Sequence, residues 1–323
     1  MRVSSRYCFD MKKYTVFITG KIPEEGINLL QRQGYVLQFG PLKKAKGAHA
    51  LLCLLTDTID AKVMDAIGPQ LKVISNMAAG LDNIDIHEAV KRGITFTNTP
   101  GVLTEAVAEH TVALLLAVSR RVVEGDQFVR AKKYKGWQID LLLGQELRGK
   151  TVGIIGYGRI GSRVAEILGK GFGMKVVYHD EHRNEIAEKN NARYVSFKDL
   201  LKNADVVSLH VPLLAATLHL VGEKELRMMK RTAYLINTSR GAVVDEKALA
   251  KVLRENGIAG AGIDVFEHEP KIESTLLKLE NAVLTPHIAS ASREARVAMA
   301  ELAAKNIINI LKSHLPSIAY FPT

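Results

Sequence analysis

The sequence predicts an α/β protein with two doubly wound, parallel-sheet domains. Its 323 residues exceed the size of one ordinary domain. Short apolar runs rich in β-branched residues alternate with helical segments, which indicates parallel strands joined by right-handed crossovers. One of these runs leads directly into a glycine-rich turn at residues 156–161. We expect a larger domain over 99–288, inserted in a smaller domain formed by 13–98 and 289–323, and a basic tail over 1–12.

The amino-terminal part contains four short apolar runs that predict strands: 14–19, 36–39, 50–55 and 71–75. A helix separates the first two, because Ile27 and Leu30 recur at helical spacing between Pro23, which can open a helix, and Gly34, which can end it. The amphipathic helix expected over 294–311 is long enough to return to this part of the chain. This alternation of strands and helices predicts a small flavodoxin-like domain.

The larger domain opens with a long apolar helix over 103–119, which is typical of a helix buried between two layers. Residues 121–148 include the only tryptophan, Trp137, and are expected to be irregular because they show no periodicity. Five predicted strands follow, separated by helical stretches: 152–156, 175–180, 205–209, 233–237 and 260–264. We expect them to form one parallel sheet.

The glycine-rich turn has the pattern G-x-G-x-x-G, formed by Gly156, Gly158 and Gly161. After a strand, the first glycine permits a tight turn, the second lets the backbone approach a pyrophosphate, and the third lets the new helix lie close to its strand. Unpaired N–H groups at the helix start stabilise the phosphate charge. Asp180 ends the next strand about 20 residues further on, where a carboxylate meets a ribose hydroxyl. The larger domain is therefore predicted to be a Rossmann domain that binds a dinucleotide.

Asp180 also indicates which dinucleotide binds. A carboxylate accepts hydrogen bonds from the ribose hydroxyls of NAD and repels the 2′-phosphate of NADP, so NAD is the expected cofactor. His182 and Arg183 follow directly along the chain and offer positive charge to a phosphate. NADP therefore stays open as the alternative.

Two other motifs favour no function of their own. Residues 144–151 match the P-loop pattern G-x-x-x-x-G-K-[ST], but a P-loop is followed by a helix and this segment leads into a predicted strand. His179, Asp180 and His182 resemble a metal cluster, but alternation at a strand end directs neighbouring side chains to opposite faces. We therefore expect neither hydrolysis of nucleoside triphosphates nor a metal site.

Composition narrows the classes of function. Hydrophobic residues at 47% and charged residues at 24% are ordinary for a globular protein. We expect a cytoplasmic protein that does not bind membranes, because no apolar run approaches the roughly 18 residues needed to span a bilayer and the first residues lack a signal-peptide core. The formal charge of +10 favours small anionic substrates over nucleic acid, since no nucleic-acid-binding motif accompanies it. Cys8 and Cys53 predict no disulfide framework.

Three side chains of the carboxyl-terminal half indicate acid–base chemistry on a keto acid. Arg240, Glu269 and His287 each follow a predicted strand or apolar run, and Asp264 ends one of those strands. Open α/β sheets bind ligands at this edge. A guanidinium can hold a carboxylate with two hydrogen bonds, and an imidazole can protonate the oxygen that receives charge as hydride arrives. A glutamate beside the imidazole favours its charged form. Each residue alone has an ordinary structural explanation; together they predict reduction of a 2-oxo acid.

These residues and motifs resemble the D-isomer-specific 2-hydroxyacid dehydrogenase family over residues 14–316. The most specific segments are 152–161, 236–241, 243–245, 261–266, 269–270 and 285–290. The resemblance implies that Arg240, Glu269 and His287 are the catalytic residues. It implies cofactor contacts for the glycine turn and for seven further residues: Thr104, Arg159, Ile160, Asp180, Thr238, Ser239 and Asp264. The last of these is expected to meet the nicotinamide amide.

Within the family, the sequence is most similar to the glyoxylate/hydroxypyruvate reductases. Leu54 stands where phosphoglycerate dehydrogenases carry an arginine, and Leu55 beside it suits a small or apolar side group. The resemblance places Ala79 and Gly80 in the loop whose amides meet the substrate carboxylate, which Arg240 also contacts. A small anionic 2-oxo acid, reduced to the D-2-hydroxy acid, is the expected substrate, with 3-phosphoglycerate dehydrogenase activity as the alternative.

Other relatives fit less well. Formate dehydrogenases pair the histidine with glutamine, where this chain has Glu269, and phosphite dehydrogenases have a lysine in the loop that contains Ala79. Some transcriptional corepressors share the fold and keep the catalytic residues, so an NAD-binding interaction protein is the alternative from another class. The segment 121–148 is similar to the family's dimerisation region, and the resemblance therefore implies a homodimer.

Overall fold

The computed structural model of the chain describes residues 14–313, so the basic tail predicted over 1–12, with Cys8, lies outside the described residues. The described residues form two compact units: residues 14–103 with 293–313, and Thr104–Ser292. The strands are β1 (Thr15–Ile18), β2 (Val36–Phe39), β3 (Ala50–Cys53), β4 (Val73–Asn76), β5 (Thr95–Thr97), β6 (Thr151–Ile155), β7 (Lys175–His179), β8 (Arg193–Tyr194), β9 (Val206–Leu209), β10 (Tyr234–Asn237), β11 (Gly260–Ile263) and β12 (Ala282–Leu284). The α-helices are α1 (Glu24–Gln31), α2 (Ala61–Ile67), α3 (Ile86–Lys91), α4 (Thr104–Ser119), α5 (Val122–Arg130), α6 (Arg159–Glu166), α7 (Glu185–Lys189), α8 (Phe197–Asn203), α9 (Glu223–Leu226), α10 (Glu246–Arg254) and α11 (Arg293–Ser313).

The smaller unit contains a five-stranded sheet in the order β2-β1-β3-β4-β5, with every pair parallel. This is the flavodoxin-like order, and it confirms the predicted fold class. The carboxyl-terminal helix α11 belongs to this unit and packs against α1 and β4. Gly26 permits the close approach of α1, because a Cβ there would lie 2.7 Å from the carbonyl oxygen of Ala300.

Strand β3 is shorter than the run of apolar residues that predicted it. The expected strand over 50–55 ends at Cys53, because the Asp57 side chain accepts the backbone N–H of Leu54 at 2.8 Å and also the Thr19 hydroxyl. These bonds turn the chain, so Leu54 and Leu55 lie in a turn and not in a strand.

Strand β5 was not predicted, since its three residues contain two threonines and form no apolar run.

The larger unit contains a seven-stranded, wholly parallel sheet in the order β12-β11-β10-β9-β6-β7-β8. The strand order reverses between β6 and β9, as in a Rossmann domain, where ligands bind at this switch point. Helix α4 packs directly on β10 and β11. Glycines on β11 make room for it: a Cβ at Gly260 would lie 2.8 Å from Val118, and one at Gly262 would lie 3.0 Å from Leu114.

Two expectations for the larger unit were wrong in detail. Residues 121–148 are not wholly irregular, since α5 occupies their first part and an Arg121–Glu124 ion pair at 2.7 Å stabilises its first turn. Strands β8 and β12 were also missed, because they contain two and three residues at the edges of the sheet. Among the described helices, none combines the length and the apolar character that a membrane crossing requires.

Candidate active site

The glycine-rich turn connects β6 to α6, and its three glycines meet different steric demands. Gly156 has a φ of +90°, and a Cβ there would lie 2.7 Å from the carbonyl oxygen of His210. A Cβ on Gly161 would lie 2.1 Å from the carbonyl oxygen of Gly156, so only glycine lets α6 begin this close to the turn. A Cβ on Gly158 would meet no heavy atom within 4 Å. The space beside Gly158 is therefore open at the start of α6, as a bound pyrophosphate requires.

Asp180 is held against this turn. One of its carboxylate oxygens accepts the backbone N–H of Tyr157 at 2.6 Å, and the other accepts that of Glu181 at 2.7 Å. Arg183, the nearby cation, lies over the Tyr194 ring at 5.3 Å and 3.7 Å from a carboxylate oxygen of Glu188. The carboxylate of Asp180 is thus the charged group fixed at the turn, which suits ribose hydroxyls better than a 2′-phosphate.

His210 follows β9 directly behind Gly156 and is a neutral neighbour of the turn. Burial lowers the pKa of His210 to about 3. Its Nε2 lies 2.8 Å from the hydroxyl oxygen of Ser208, which satisfies the ring inside the protein. His210 therefore contributes no charge to the dinucleotide site near neutral pH.

The imidazole of His287 is paired with the carboxylate of Glu269. The Nδ1 atom of His287 lies 2.9 Å from Oε2 of Glu269, which leaves Nε2 as the nitrogen that can face a reacting group. The other oxygen of Glu269 accepts the backbone N–H of Phe266 at 3.0 Å. Burial raises the pKa of Glu269, but the hydrogen bonds from His287 and Phe266 outweigh it and hold the pKa below its usual range. The carboxylate is therefore ionised beside the imidazole near neutral pH.

The backbone of His287 is left-handed, with a φ of +54°. This conformation costs a residue other than glycine about 1–2 kcal/mol. Asp264 offsets that cost: its carbonyl oxygen accepts the N–H of His287 at 2.8 Å, and its carboxylate accepts the next two amides, of Ile288 at 2.9 Å and Ala289 at 2.8 Å. Asp264 thus fixes the loop that carries the histidine.

The Asp264 carboxylate is 0% exposed, and two further polar side chains lie beside it. The Thr285 hydroxyl donates to it at 2.6 Å, and Nε2 of His110, on α4, lies 3.0 Å from that hydroxyl and 3.4 Å from the carboxylate. Burial raises the pKa of Asp264, but hydrogen bonds from His110, Thr285 and the two amides outweigh it and lower the pKa overall. A buried carboxylate at this position is stable because every oxygen accepts hydrogen bonds.

Arg240 follows β10 in a loop that Asn237 organises. The Asn237 side chain donates to the carbonyl oxygen of Arg240 at 2.9 Å and accepts the amide and the hydroxyl of Ser239 at 3.0 and 2.8 Å. Gly241 then lies directly against Phe266, where a Cβ would be 1.9 Å from the carbonyl carbon. The loop after β10 therefore lies against the loop that carries Glu269.

The three candidate catalytic residues occupy loops at one edge of the sheet. Arg240 follows β10, Glu269 follows β11 and His287 follows β12, and these strands are consecutive neighbours in the sheet. Parallel strands end at the same edge, which is where open α/β sheets bind their ligands. A guanidinium, a carboxylate and an imidazole are thereby presented in the same unit as the dinucleotide turn.

Comparison with known proteins identifies the family. The model of the family described as D-isomer specific 2-hydroxyacid dehydrogenase, NAD binding domain, matches residues 112–289. The chain belongs to this family. A glyoxylate reductase of Thermococcus litoralis is 51% identical over 94% of this chain and 96% of its own length. A glyoxylate reductase of Korarchaeum cryptofilum is 50% identical over 94% of this chain and 95% of its own.

Solved structures of dehydrogenases of this kind have the same fold. The NADPH-dependent glyoxylate/hydroxypyruvate reductase of Sinorhizobium meliloti, in complex with NADP and malonate, superimposes with a TM-score of 0.82 at 32% identity, over 93% of this chain and 94% of that one. The D-lactate dehydrogenase of Aquifex aeolicus, complexed with NAD and lactic acid, gives a TM-score of 0.84 at 32% identity, over 95% of this chain and all of that one.

The remaining cofactor positions expected in a D-2-hydroxyacid dehydrogenase belong to the larger unit. Arg159 and Ile160 are the first residues of α6, and Thr104 is the first residue of α4. Thr238 is buried, and its hydroxyl lies 2.8 Å from that of Thr111. Asp264 is wholly engaged with the protein, as described above. Its contact with a nicotinamide amide, like the other cofactor contacts, stays a prediction.

Apart from Arg240, the expected substrate-binding residues belong to the smaller unit. Leu54 and Leu55 follow β3, while Ala79 and Gly80 follow β4, its neighbour in the sheet. Asn98 donates to the carbonyl oxygen of Ala79 at 2.6 Å, and Asn76 donates to that of Gly80 at 2.9 Å. In a trans peptide the N–H points opposite to the C=O. The amides of Gly80 and the next residue therefore point away from the two asparagines.

Sequence reasoning missed the asparagines that shape both sets of loops. Asn237 is the last residue of β10, and Asn76 is the last residue of β4. Asn83 accepts from Asn76 at 2.8 Å and donates to the carbonyl oxygens of Leu54 and Asp57 at 3.1 and 2.9 Å, which joins the loops after β3 and β4. The available signal was an asparagine at the end of a wholly buried strand, because a buried amide needs hydrogen-bond partners.

Proposed function

We propose that this D-2-hydroxyacid dehydrogenase is a glyoxylate reductase that converts small 2-oxo acids to D-2-hydroxy acids. The observation that carries the proposal is the pairing of His287 Nδ1 with Glu269 at 2.9 Å, in loops adjacent to that of Arg240. The relatives described above as glyoxylate reductases are about half identical to this chain over nearly its whole length, which supports the substrate class.

The reaction adds a hydride to the carbonyl carbon and a proton to the carbonyl oxygen. A bound reduced nicotinamide supplies the hydride. The Arg240 guanidinium holds the substrate carboxylate with two parallel hydrogen bonds and polarises the neighbouring carbonyl group. The His287 imidazolium donates its Nε2 proton to the oxygen as that atom becomes negative. Glu269 accepts the hydrogen bond from Nδ1 and so keeps the ring oriented with Nε2 free for proton transfer.

The substrate is expected to be small and to lack a phosphate. Leu54, in the turn after β3, packs over Gly20, whose Cβ would lie 2.5 Å from a methyl carbon of Leu54. The turn from Leu54 to Asp57 contains no basic side chain, whereas a phosphorylated substrate needs a cation. These features favour glyoxylate, hydroxypyruvate and pyruvate over 3-phosphohydroxypyruvate, the substrate of the alternative activity.

NAD is the cofactor that the dinucleotide site favours. Asp180 is fixed by two backbone amides beside the turn, and its charge opposes a 2′-phosphate. Arg183 lies beside Tyr194 and Glu188 with 70% of its side chain exposed, so solvent screens the charge that it could offer to a phosphate.

Initial rates of cofactor oxidation with these four 2-oxo acids, measured with NADH and with NADPH, test the proposal. We expect the highest kcat/KM for glyoxylate or hydroxypyruvate with NADH. A preference for the phosphorylated acid would contradict the substrate class, and a preference for NADPH would contradict the interpretation of Asp180. If none of the four acids is reduced, the result favours the alternative of an NAD-binding interaction protein.

The active form is proposed to be a homodimer formed through the segment that contains α5 and the residues after it. This segment carries several exposed, large apolar side chains, among them Trp137 at 81% and Ile139 at 79% exposure. Contiguous exposed apolar residues on a protein surface mark interaction sites. The same segment is similar to the dimerisation region of the family.

A further inference from the structure

The loop that carries Glu269 is anchored by a second buried carboxylate. Glu246 is the first residue of α10 and is only 8% exposed. One of its oxygens accepts the backbone N–H of Glu267 at 2.8 Å, and the other accepts that of Glu273. These two amides lie on either side of Glu269 along the chain. Glu246 therefore holds the loop at two points that bracket the catalytic glutamate.

The helix that carries Glu246 is capped and packed into the core. Helix α10 is capped by Asp245, which accepts the N–H of Ala248 at 3.0 Å, and its residues Leu249, Val252 and Leu253 are buried in the core of the larger unit. The start of a helix also favours an acidic side chain, which suits Glu246 to its position in the first turn of α10. A buried carboxylate is retained only when its oxygens accept hydrogen bonds, and here the two backbone amides of the loop supply them.

We propose that Glu246 is a positioning residue that acts through Glu269 and thereby orients His287. The inference rests on the proposed function, because it gives Glu269 a role in proton donation. The loop also packs on the core through Phe266 and Ile272, and it contains a turn from Lys271 N–H to His268 O at 2.8 Å and an exposed pair of His219 with Glu267 at 2.8 Å. None of these contacts engages the backbone amides of Glu267 and Glu273, so release of Glu246 frees the backbone on both sides of Glu269 to shift.

Glu246→Gln is the test, because glutamine keeps the shape but turns an NH₂ group toward one of the two amides. We expect kcat with glyoxylate to fall roughly 10-fold, since a misplacement of about 1 Å can cost 100-fold. The Kd for NADH should stay within about 2-fold, as the dinucleotide turn is untouched. In a Glu269→Gln background the same substitution should lower kcat less than about 2-fold, because residues that act through one another are not additive.

Asp205→Asn is a matched control. Asp205 also anchors a backbone amide, that of Thr151 at 2.9 Å, and pairs with Lys230 at 2.8 Å, but it lies before β9, at the opposite edge of the sheet. It should alter stability and leave kcat unchanged. The proposal would be overturned if Glu246→Gln lowered kcat by the same factor in the wild type and in the Glu269→Gln background. Equal losses would indicate general destabilisation.

Hydrogen exchange tests the same anchor without turnover. Peptides spanning 266–274 should exchange at least about 10-fold faster in Glu246→Gln than in the wild type or in Asp205→Asn, because two anchoring hydrogen bonds weaken. Unchanged exchange would overturn the proposal whether or not the wild type reduces glyoxylate. Faster exchange in the variant of an inactive wild type would mean that the anchor holds and that the proposed function alone has failed. If the glutamine variant does not fold, Glu246→Asp, which withdraws the carboxylate by one methylene, is measured against the same criteria.

Discussion

His287 has a backbone conformation that histidine adopts rarely, and a neighbouring aspartate makes it stable. Its φ of +54° is held by the carbonyl oxygen of Asp264, and the two following amides are held by the carboxylate of the same residue. From this turn the imidazole pairs with Glu269 through Nδ1 at 2.9 Å. The chemistry of the imidazole therefore depends on a residue that does not need to touch the substrate.

The role of Asp264 predicts a defined loss of stability. Asp264→Asn should lower the free energy of unfolding by roughly 2 kcal/mol at pH 7, because the amide cannot accept all the hydrogen bonds that the buried carboxylate accepts. The folded-state pKa is lowered relative to about 3.9 in the unfolded chain, so the stabilisation is complete above about pH 5 and is lost as the pH falls through the folded-state value.

Urea unfolding of the wild type and of Asp264→Asn between about pH 7 and pH 3.5 measures this. The difference between the two proteins should be constant down to about pH 5 and should then shrink. A difference that grows toward acid pH would mean that the pKa of Asp264 is raised on folding.

Arg240 should be sensitive even to a conservative change. Lysine keeps the charge but cannot form two parallel hydrogen bonds with a carboxylate, so Arg240→Lys should lower kcat/KM for glyoxylate about 10- to 100-fold. The KM for glyoxylate should rise, and the Kd for NADH should stay close to that of the wild type. Steady-state kinetics with NADH titration separates the two effects. An unchanged KM for glyoxylate would show that Arg240 does not bind the substrate.

At the scale of elements, the β6–α6 turn allows a matched pair of substitutions. Gly161→Ala places a methyl group 2.1 Å from the Gly156 carbonyl oxygen, so it should destabilise the protein by roughly 1–3 kcal/mol. Gly158→Ala meets no protein atom, so stability should change by less than about 0.5 kcal/mol while the NADH affinity falls, because the methyl group occupies the space left for the pyrophosphate. Thermal unfolding and NADH titration of both variants check this, and a Gly158→Ala variant with wild-type affinity would contradict it.

The sequence predicted best the strands in which the apolar run begins and ends close to where the strand itself does. Strand β2 matches its prediction at both ends, and the strands around the dinucleotide turn lie within a residue or two of theirs. Strand β3 ended early because a side-chain bond from Asp57 decides where the chain turns, and periodicity does not record such bonds. Helix α5 was missed because four of its nine residues, three valines and Gly125, have low helix propensity.

For the whole molecule, the alternation of strands and helices was enough to predict two parallel sheets, and the glycine pattern identified the Rossmann sheet. The loops of Arg240, Glu269 and His287 meet because β10, β11 and β12 are neighbours in the sheet. The positions of these strands along the sequence suggest that order but do not establish it. The residues behind them, Asp264 and Glu246, could not be recognised in advance as anchors. Their partners are backbone amides far away in sequence, and only the folded chain brings them together.

The proposed dimer predicts the mass of the protein in solution. Light scattering should report the mass of two chains for the wild type. Ile139→Asp should produce single chains, because a charge in a buried apolar interface is strongly unfavourable. Ile186→Asp is the control: Ile186 is 70% exposed on α7, outside the segment, and its variant should remain a dimer. Single chains in the wild type would exclude the proposed assembly.

Glyoxylate-dependent oxidation of NADH by the wild type and by His287→Ala tests whether His287 is the proton donor. We expect clear turnover in the wild type and a 10²- to 10⁴-fold lower kcat in the variant, the usual contribution of a general acid. NADH binding, titrated in parallel, should be nearly equal in the two proteins. A His287→Ala variant that reduces glyoxylate at the wild-type rate would show that the proton comes from elsewhere.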